Sequence, residues 1–217
     1  MEKFIVLDTE TTNSLDDPIV YDVGFAVVDE NGKIYEKHSY VVADVFLDSD
    51  LMSYAYFAEK IPQYWEDIKN GKRKLRRFST IYFILRDVCE QYSVKKIFAH
   101  NARFDYTSLT ITQRYLTSSK YRFFLPWGVE ICDTLKMSRE ILKNNTEYRA
   151  FCEKNGFTYG KDNKCLRFTA EVIYRFLTGN IDFEESHTGL EDVLIEKEIL
   201  HYCLKVNPDV DMKLWRN

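Results

Sequence analysis

The chain opens on four consecutive apolar residues, Phe4-Ile5-Val6-Leu7, and turns polar at once with Asp8-Thr9-Glu10-Thr11-Thr12. An unbroken apolar stretch of this kind predicts a strand buried on both faces, at the centre of a mixed or parallel sheet, with Asp8 and Glu10 closing it. Because side chains alternate along an extended chain, the two carboxylates share one face where the sheet ends. Two β-branched and aromatic runs follow, Ile19 to Val28 and Lys33 to Val42, after a turn over Ser14 to Pro18. They meet through Asp29-Glu30-Asn31-Gly32, and Asn-Gly between such runs signals a hairpin. Ser79 to Tyr92 carries Ile81, Ile84, Leu85 and Val88 at helical spacing, with Ser79 or Thr80 as cap. Lys96 to Ala99 reads as a short strand, the segment from Asp105 to about Leu116 as a helix, and Val129 to Cys132 as a strand ending at Asp133-Thr134. The remainder is helical in character, broken at Gly156, Gly160 and Gly179-Asn180. The last helix starts at Thr188-Gly189-Leu190-Glu191, the pattern of a capping box, and presents Val193, Leu194, Ile199, Leu200 and Leu204 to the sheet.

Between Val45 and Arg77 the pattern is irregular. Tyr54, Tyr56, Phe57, Tyr64 and Trp65 precede the basic run Lys69 to Arg77, KNGKRKLRR. Two readings stand side by side: a substrate surface whose aromatics stack on bases while Lys72, Arg73, Lys74, Arg76 and Arg77 hold phosphates, or a packed insertion with a solvated charged loop. With no repeat or linker in view, 1–217 is read as one domain, and 45–77 as an insertion within it.

Composition narrows the classes. A chain of 217 residues with 45% hydrophobic and 15% aromatic content can bury a sizeable core. Its formal net charge of -4 argues against gripping nucleic acid by bulk charge, though not against a local basic patch. The five cysteines are widely spaced and odd in number, offering neither a zinc pattern nor a disulfide framework. Met1-Glu2-Lys3 leads straight into the first strand without a secretory pattern, and the apolar runs are too short for a bilayer, so a cytoplasmic, membrane-free location is the expectation.

The chemistry-bearing positions fall in three groups: Asp8 with Glu10, Asp105 at the start of a helix, and His187 with Asp192 at the start of the last helix. Singly, each has a plain explanation as a solvated strand end or a cap. Two acids on one face also suit a divalent cation, which lets both stay ionised where they would otherwise repel.

Taken together, VLDTETT, FAHNARFDYTSL and HTGLEDVLIE resemble, in order and spacing, the three motifs of the DEDD exonuclease superfamily. The His187-to-Asp192 spacing of five resembles its DEDDh branch, which contains the proofreading epsilon subunit of bacterial DNA polymerase III, RNase T and oligoribonuclease. The resemblance implies a ribonuclease H-like α/β fold, a central five-stranded mixed sheet flanked by helices. It implies two divalent cations, Mg²⁺ or Mn²⁺, and hydrolysis of the 3′-terminal phosphodiester to nucleoside monophosphates. By position, Asp8 would bridge both metals, Glu10 and Asp192 would complete the site of the metal that binds the attacking water, Asp105 would hold the second, and His187 would take the proton from that water. Thr9, Thr11, Thr12, Asn101 and Phe104 would lie near the terminal nucleotide, while Asp133-Thr134 would be structural. The substrate is expected to be DNA, as single strands or frayed 3′ ends, with RNA or oligoribonucleotides as the alternative and a nuclease-fold binding module without activity as a third reading. A replication or repair partner is a further expectation. The His-Gly-Ile stretch of many polymerase-linked relatives is missing near 45–77, which sets a polymerase partnership in doubt.

Overall fold

The computed structural model describes residues 1–13, 16–118, 120 and 122–212. The turn expected over Ser14 to Pro18 therefore rests in part on Ser14 and Leu15, which lie outside the described residues. Along the chain run β1 (Lys3–Thr12), β2 (Ile19–Asp29), β3 (Ile34–Val42), the short helices α1 (Ala43–Phe46) and α2 (Ser49–Met52), then α3 (Ile61–Lys69) and β4 (Lys74–Arg76). There follow α4 (Phe78–Tyr92), β5 (Lys96–Ala99), α5 (Ala102–Leu116), β6 (Glu130–Asp133), α6 (Thr134–Leu142) and α7 (Thr146–Asn155). A two-stranded hairpin, β7 (Thr158–Tyr159) with β8 (Cys165–Leu166), precedes α8 (Ala170–Thr178) and α9 (Gly189–Val206). The described cysteines are free, and no helix among the described residues is long and apolar enough to cross a membrane.

The main sheet has the order β4-β3-β2-β1-β5-β6. It is mixed: β1, β2 and β3 run antiparallel to their neighbours in sequence, whereas β4, β5 and β6 join in parallel. The sheet thus has six strands where five were expected. The sixth is β4, three residues inside the basic run, and it was hidden because its pattern is charge with one Leu75 between. β1 lies centrally and its Phe4, Ile5, Val6 and Leu7 are fully buried, each worth roughly 1.5–3 kcal/mol of burial. Phe4 and Val6 face α6, α7, α8 and α9, and Ile5 and Leu7 face α1 to α4 and Leu109 of α5.

Local chemistry explains several boundaries. Asp29 accepts the backbone N–H groups of Asn31 and Lys33 at 2.9 and 3.1 Å, and Gly32 takes a φ of 77°, closing the β2–β3 hairpin where the sequence placed it. The cap of α4 differs from expectation: neither Ser79 nor Thr80 serves, and Asp44 of α1 accepts the N–H of Phe78 at 2.7 Å.

Two contacts fix α9 on the sheet. A Cβ placed on Gly24 of β2 would lie 2.2 Å from the backbone of Gly189 and Leu190, so the helix start rests backbone to backbone on the strand. Beside it, Asp22 Oδ2 accepts the N–H of Gly189 at 2.9 Å, the hydroxyl of Tyr64 at 2.7 Å and Arg73 Nη1 at 3.2 Å. Arg73 is only 1% exposed and also donates to Asp67 at 3.0 Å, Ser39 at 3.1 Å and Glu191 at 2.7 Å. Of the two readings of the basic run, this residue takes the packed one: it is a buried tie among β2, β3, α3 and α9, and phosphate has no access to it.

Gly24→Ala is expected to lower stability by about 1–3 kcal/mol or more, since overpacking displaces a helix that cannot yield, and chemical denaturation measures the loss. Arg73→Met should remove about 3–5 kcal/mol in the same assay, because Asp22 is then a buried charge without its counterion.

Candidate active site

The site lies where β1 outruns its neighbour. β5 pairs with β1 only at Ile5 and Val6 and ends at Ala99, so Asp8, Thr9 and Glu10 border an open crevice at the carboxyl side of the parallel pair. Open α/β sheets bind ligands in such crevices. The two acids do not close the strand as expected; β1 continues to Thr12, with a bulge between Glu10 and Thr11.

The crevice is a cavity of about 760 Å³ lined by Asp8, Glu10, Asp105, His187 and Asp192 together, the five expected catalytic positions. α5 brings in Asp105 from its first turn, held by a hydrogen bond from the Thr9 hydroxyl at 2.9 Å. α9 brings in Asp192, whose Oδ2 accepts the N–H of Thr188 at 2.9 Å. The expected capping box is therefore replaced. Thr188 donates its hydroxyl to Glu191, and Glu191 turns away to Arg73 and to Lys72 at 2.9 Å, leaving the helix start to be satisfied by Asp192 and Asp22. Burial would raise Glu191, yet Lys72 and Arg73 hold it at about 2. His187 sits in a left-handed backbone conformation at φ 53° and stacks on Phe57 with ring centres 4.1 Å apart and planes 9° from parallel. Ligand atoms of Glu10, His187 and Asp192 all lie within 4.8 Å of one another.

The electrostatics are those of acids forced together out of water. Burial is the largest cause throughout, and the neighbouring carboxylates add to it for Asp8, Glu10 and Asp192. Asp8 is raised well above the ordinary range by burial and by Glu196, Asp105, Glu10 and Asp192. Glu10 is pushed up to about 9, Asp192 to about 8 and Asp105 to about 7. Burial lowers His187, which keeps its imidazole neutral at neutral pH. Asp8 Oδ2 is buried with no hydrogen-bond partner among the described residues. This donor set fits a hard divalent cation, which supplies the positive charge that the carboxylates lack.

Two further acids line the cavity, Glu196 and Glu185, the latter pushed up to about 7 by burial with Glu171 adding to it. Glu196 is 3% exposed, lines the cavity, and leaves Oε2 without a partner among the described residues. Burial raises it, with Asp105, Glu185 and Asp192 adding to the effect. Its signal was present in HTGLEDVLIE: four residues after Asp192, it occupies the same face of α9 one turn on.

The expected substrate neighbours divide. Thr9, Asn101 and Phe104 line the cavity, although the Thr9 hydroxyl is committed to Asp105. Thr11 and Thr12 are buried beside it; the Thr12 hydroxyl donates to the Leu51 carbonyl and the Thr11 carbonyl accepts from Tyr56. Asp133 accepts the N–H of Asn101 at 3.1 Å and that of Leu135 at 2.9 Å, joining the starts of α5 and α6.

No protein-family model and no curated protein sequence matches the chain. Among solved structures it is similar to exonuclease X in complex with 5′-overhanging duplex DNA, at 16% identity and a TM-score of 0.52 over 94% of this chain and 93% of that one. It is also similar to E. coli exonuclease I with a dA16 oligonucleotide, at 12% identity and a TM-score of 0.58, and to the zinc-bound form of an E. coli exonuclease I–ssDNA complex, at 14% and 0.58. This chain spans 42% of each exonuclease I chain. The architecture, a six-stranded mixed sheet flanked by helices, is thus the ribonuclease H-like α/β fold of these exonuclease structures.

Proposed function

We propose that this protein is a metal-dependent 3′-to-5′ exonuclease acting on DNA, on single strands or frayed 3′ ends, in one domain covering 1–217. The observation that carries this reading is the convergence, in one cavity, of Asp8, Glu10, Asp105 and Asp192 with a neutral His187. The likeness to exonucleases that were solved with DNA supports it. Two cations, Mg²⁺ or Mn²⁺, bound among these carboxylates would supply charge to stabilise the attacking and leaving oxygens of an in-line displacement.

In this reading Asp8 would be shared between the two cations, Glu10 and Asp192 would hold the one beside His187, and Asp105, oriented by Thr9, would hold the other. His187 accepts the proton of the water that attacks phosphorus. The P–O3′ bond breaks, a nucleoside 5′-monophosphate departs, and the leaving oxygen takes a proton from solvent. The stack on Phe57 holds the imidazole plane through this transfer. Glu196, one turn on from Asp192, would add a carboxylate to the cation set.

With Mg²⁺ or Mn²⁺ the protein should shorten a 5′-labelled oligonucleotide stepwise, EDTA should stop it, and Asp8→Ala should abolish it. Full activity in Asp8→Ala would sink the assignment. His187→Ala should keep cation binding and slow hydrolysis by about 10²–10⁴-fold, and a gel assay over single-stranded DNA, duplex DNA, mismatched ends and RNA reads rate and substrate together.

The raised carboxylates also set a stability trend. In the unfolded chain these acids ionise near pH 4, whereas the folded cation-free protein retains protons up to the about 9 of Glu10. The folded state binds more protons across that window, so stability without cation falls as pH rises. Thermal denaturation should show this fall, a gain from Mn²⁺ that grows with pH, and a shallower fall in Glu196→Gln. A cation-free stability that rises through the window would contradict the arrangement.

A further inference from the structure

The catalytic cavity is lined by more than the carboxylates. Arg139, Arg167, Tyr159 and Phe168 line it as well, and a second cavity of about 360 Å³ shares three of these, Arg139, Tyr159 and Phe168. That second cavity continues past Lys143, Arg149 and Lys164. The cations come from three elements: Arg139 and Lys143 from α6 and its end, Arg149 from α7, and Lys164 from the segment just before β8. They are exposed, and so is Tyr159; Phe168 is half-buried, packed against Tyr148 at 5.5 Å with the Arg139 guanidinium over its ring at 5.8 Å. Their acidic partners are weak and solvent-exposed, Arg149 with Glu153 at 3.8 Å and Lys164 with Asp162 at 3.3 Å. Surface pairs of this kind are worth about 0–1 kcal/mol, so phosphate can displace them.

Resting on the exonuclease reading, we infer that the groove over α6, α7 and the β7–β8 hairpin is the track of the strand 5′ to the scissile phosphate. Cations from three separate elements line this cavity together with the rings of Tyr159 and Phe168, a combination that suits a single-stranded backbone whose bases stack. The two cavities share Arg139, Tyr159 and Phe168, so a strand whose terminal phosphodiester lies at Asp8 has a continuous path from one into the other. Within the basic run 72–77, Arg73 is buried and Lys72 is paired with Asp67 and Glu191, and none of the run's residues lines the catalytic cavity.

The test is the triple variant Lys143→Gln, Arg149→Gln, Lys164→Gln, with Lys37→Gln on exposed β3 as control. Fluorescence anisotropy follows binding of dT12 and dT3 carrying a phosphorothioate 3′ linkage, across a salt series. The slope of log affinity against log salt should fall by about 2, three contacts at about 0.7 each for a single strand. The advantage of dT12 over dT3 should shrink at least tenfold, and the control should match wild type. If wild type degrades unmodified dT12 but the triple variant keeps its slope and length dependence, the track is wrong and the exonuclease reading survives. If the variant loses both while wild type degrades nothing with Mg²⁺ or Mn²⁺, the track stands and the exonuclease reading fails.

Discussion

The structure depends on the approach of Gly189 to Gly24. β2 lies beside β1 with Gly24 opposite Asp8, so a helix whose backbone touches Gly24 starts within reach of the Asp8 carboxylate. No residue with a side chain permits that approach, and Asp22 stitches it by accepting the Gly189 N–H. Asp192, His187 and Glu196 take their positions from this one junction. The distance between two acids that repel is thus set by backbone contact, which does not relax when they repel.

That rigidity has to be supported elsewhere, and the insertion supports it. Asp22 is a buried charge, and it persists because Arg73 and Tyr64, both from 45–77, turn toward it. Arg73 then reaches on to Glu191 in the first turn of α9. Removing a buried partner of this kind costs about 3–5 kcal/mol, far more than a solvated ion pair contributes. The same segment supplies Phe57, the ring on which His187 stacks. A stretch that reads as optional decoration in the sequence is therefore what holds the helix start and the imidazole in place.

β1, β2, β3, β5, β6, α4, α5 and the three acidic groups were legible because each announces itself over a short range, by alternation, helical spacing or a turn residue. The misreadings share one cause. Thr188-Gly189-Leu190-Glu191 satisfies the local rule for a capping box, but a buried guanidinium from 118 residues away attracts Glu191 more strongly than the helix N-terminus does. β4 and the β7–β8 hairpin are three- and two-residue strands whose pairing is decided by their neighbours and carries no periodicity. Glu196 stood at an i+4 position from Asp192, yet an acid on a helix ordinarily faces water. Only the packing of α9 against β1 shows that this face is inward.

Where a strand can lie is decided by which cations are already spent. On a protein of net charge -4, attraction for nucleic acid has to be local. The densest basic run in the sequence is the natural candidate, but its Arg73 is consumed in holding Asp22, Asp67 and Glu191, and none of its residues lines the catalytic cavity. Arg139, Lys143, Arg149 and Lys164 are scattered over 26 residues of sequence and make no motif, yet the fold brings them to one cavity. The arginine at the heart of the dense run went to structure, and dispersed charge lines the cavity that adjoins the carboxylates. The helix that carries Asp192 holds its place against repulsion because Arg73 is buried between Asp22 and Glu191, which leaves the exposed cations of α6, α7 and the β7–β8 hairpin for the proposed strand.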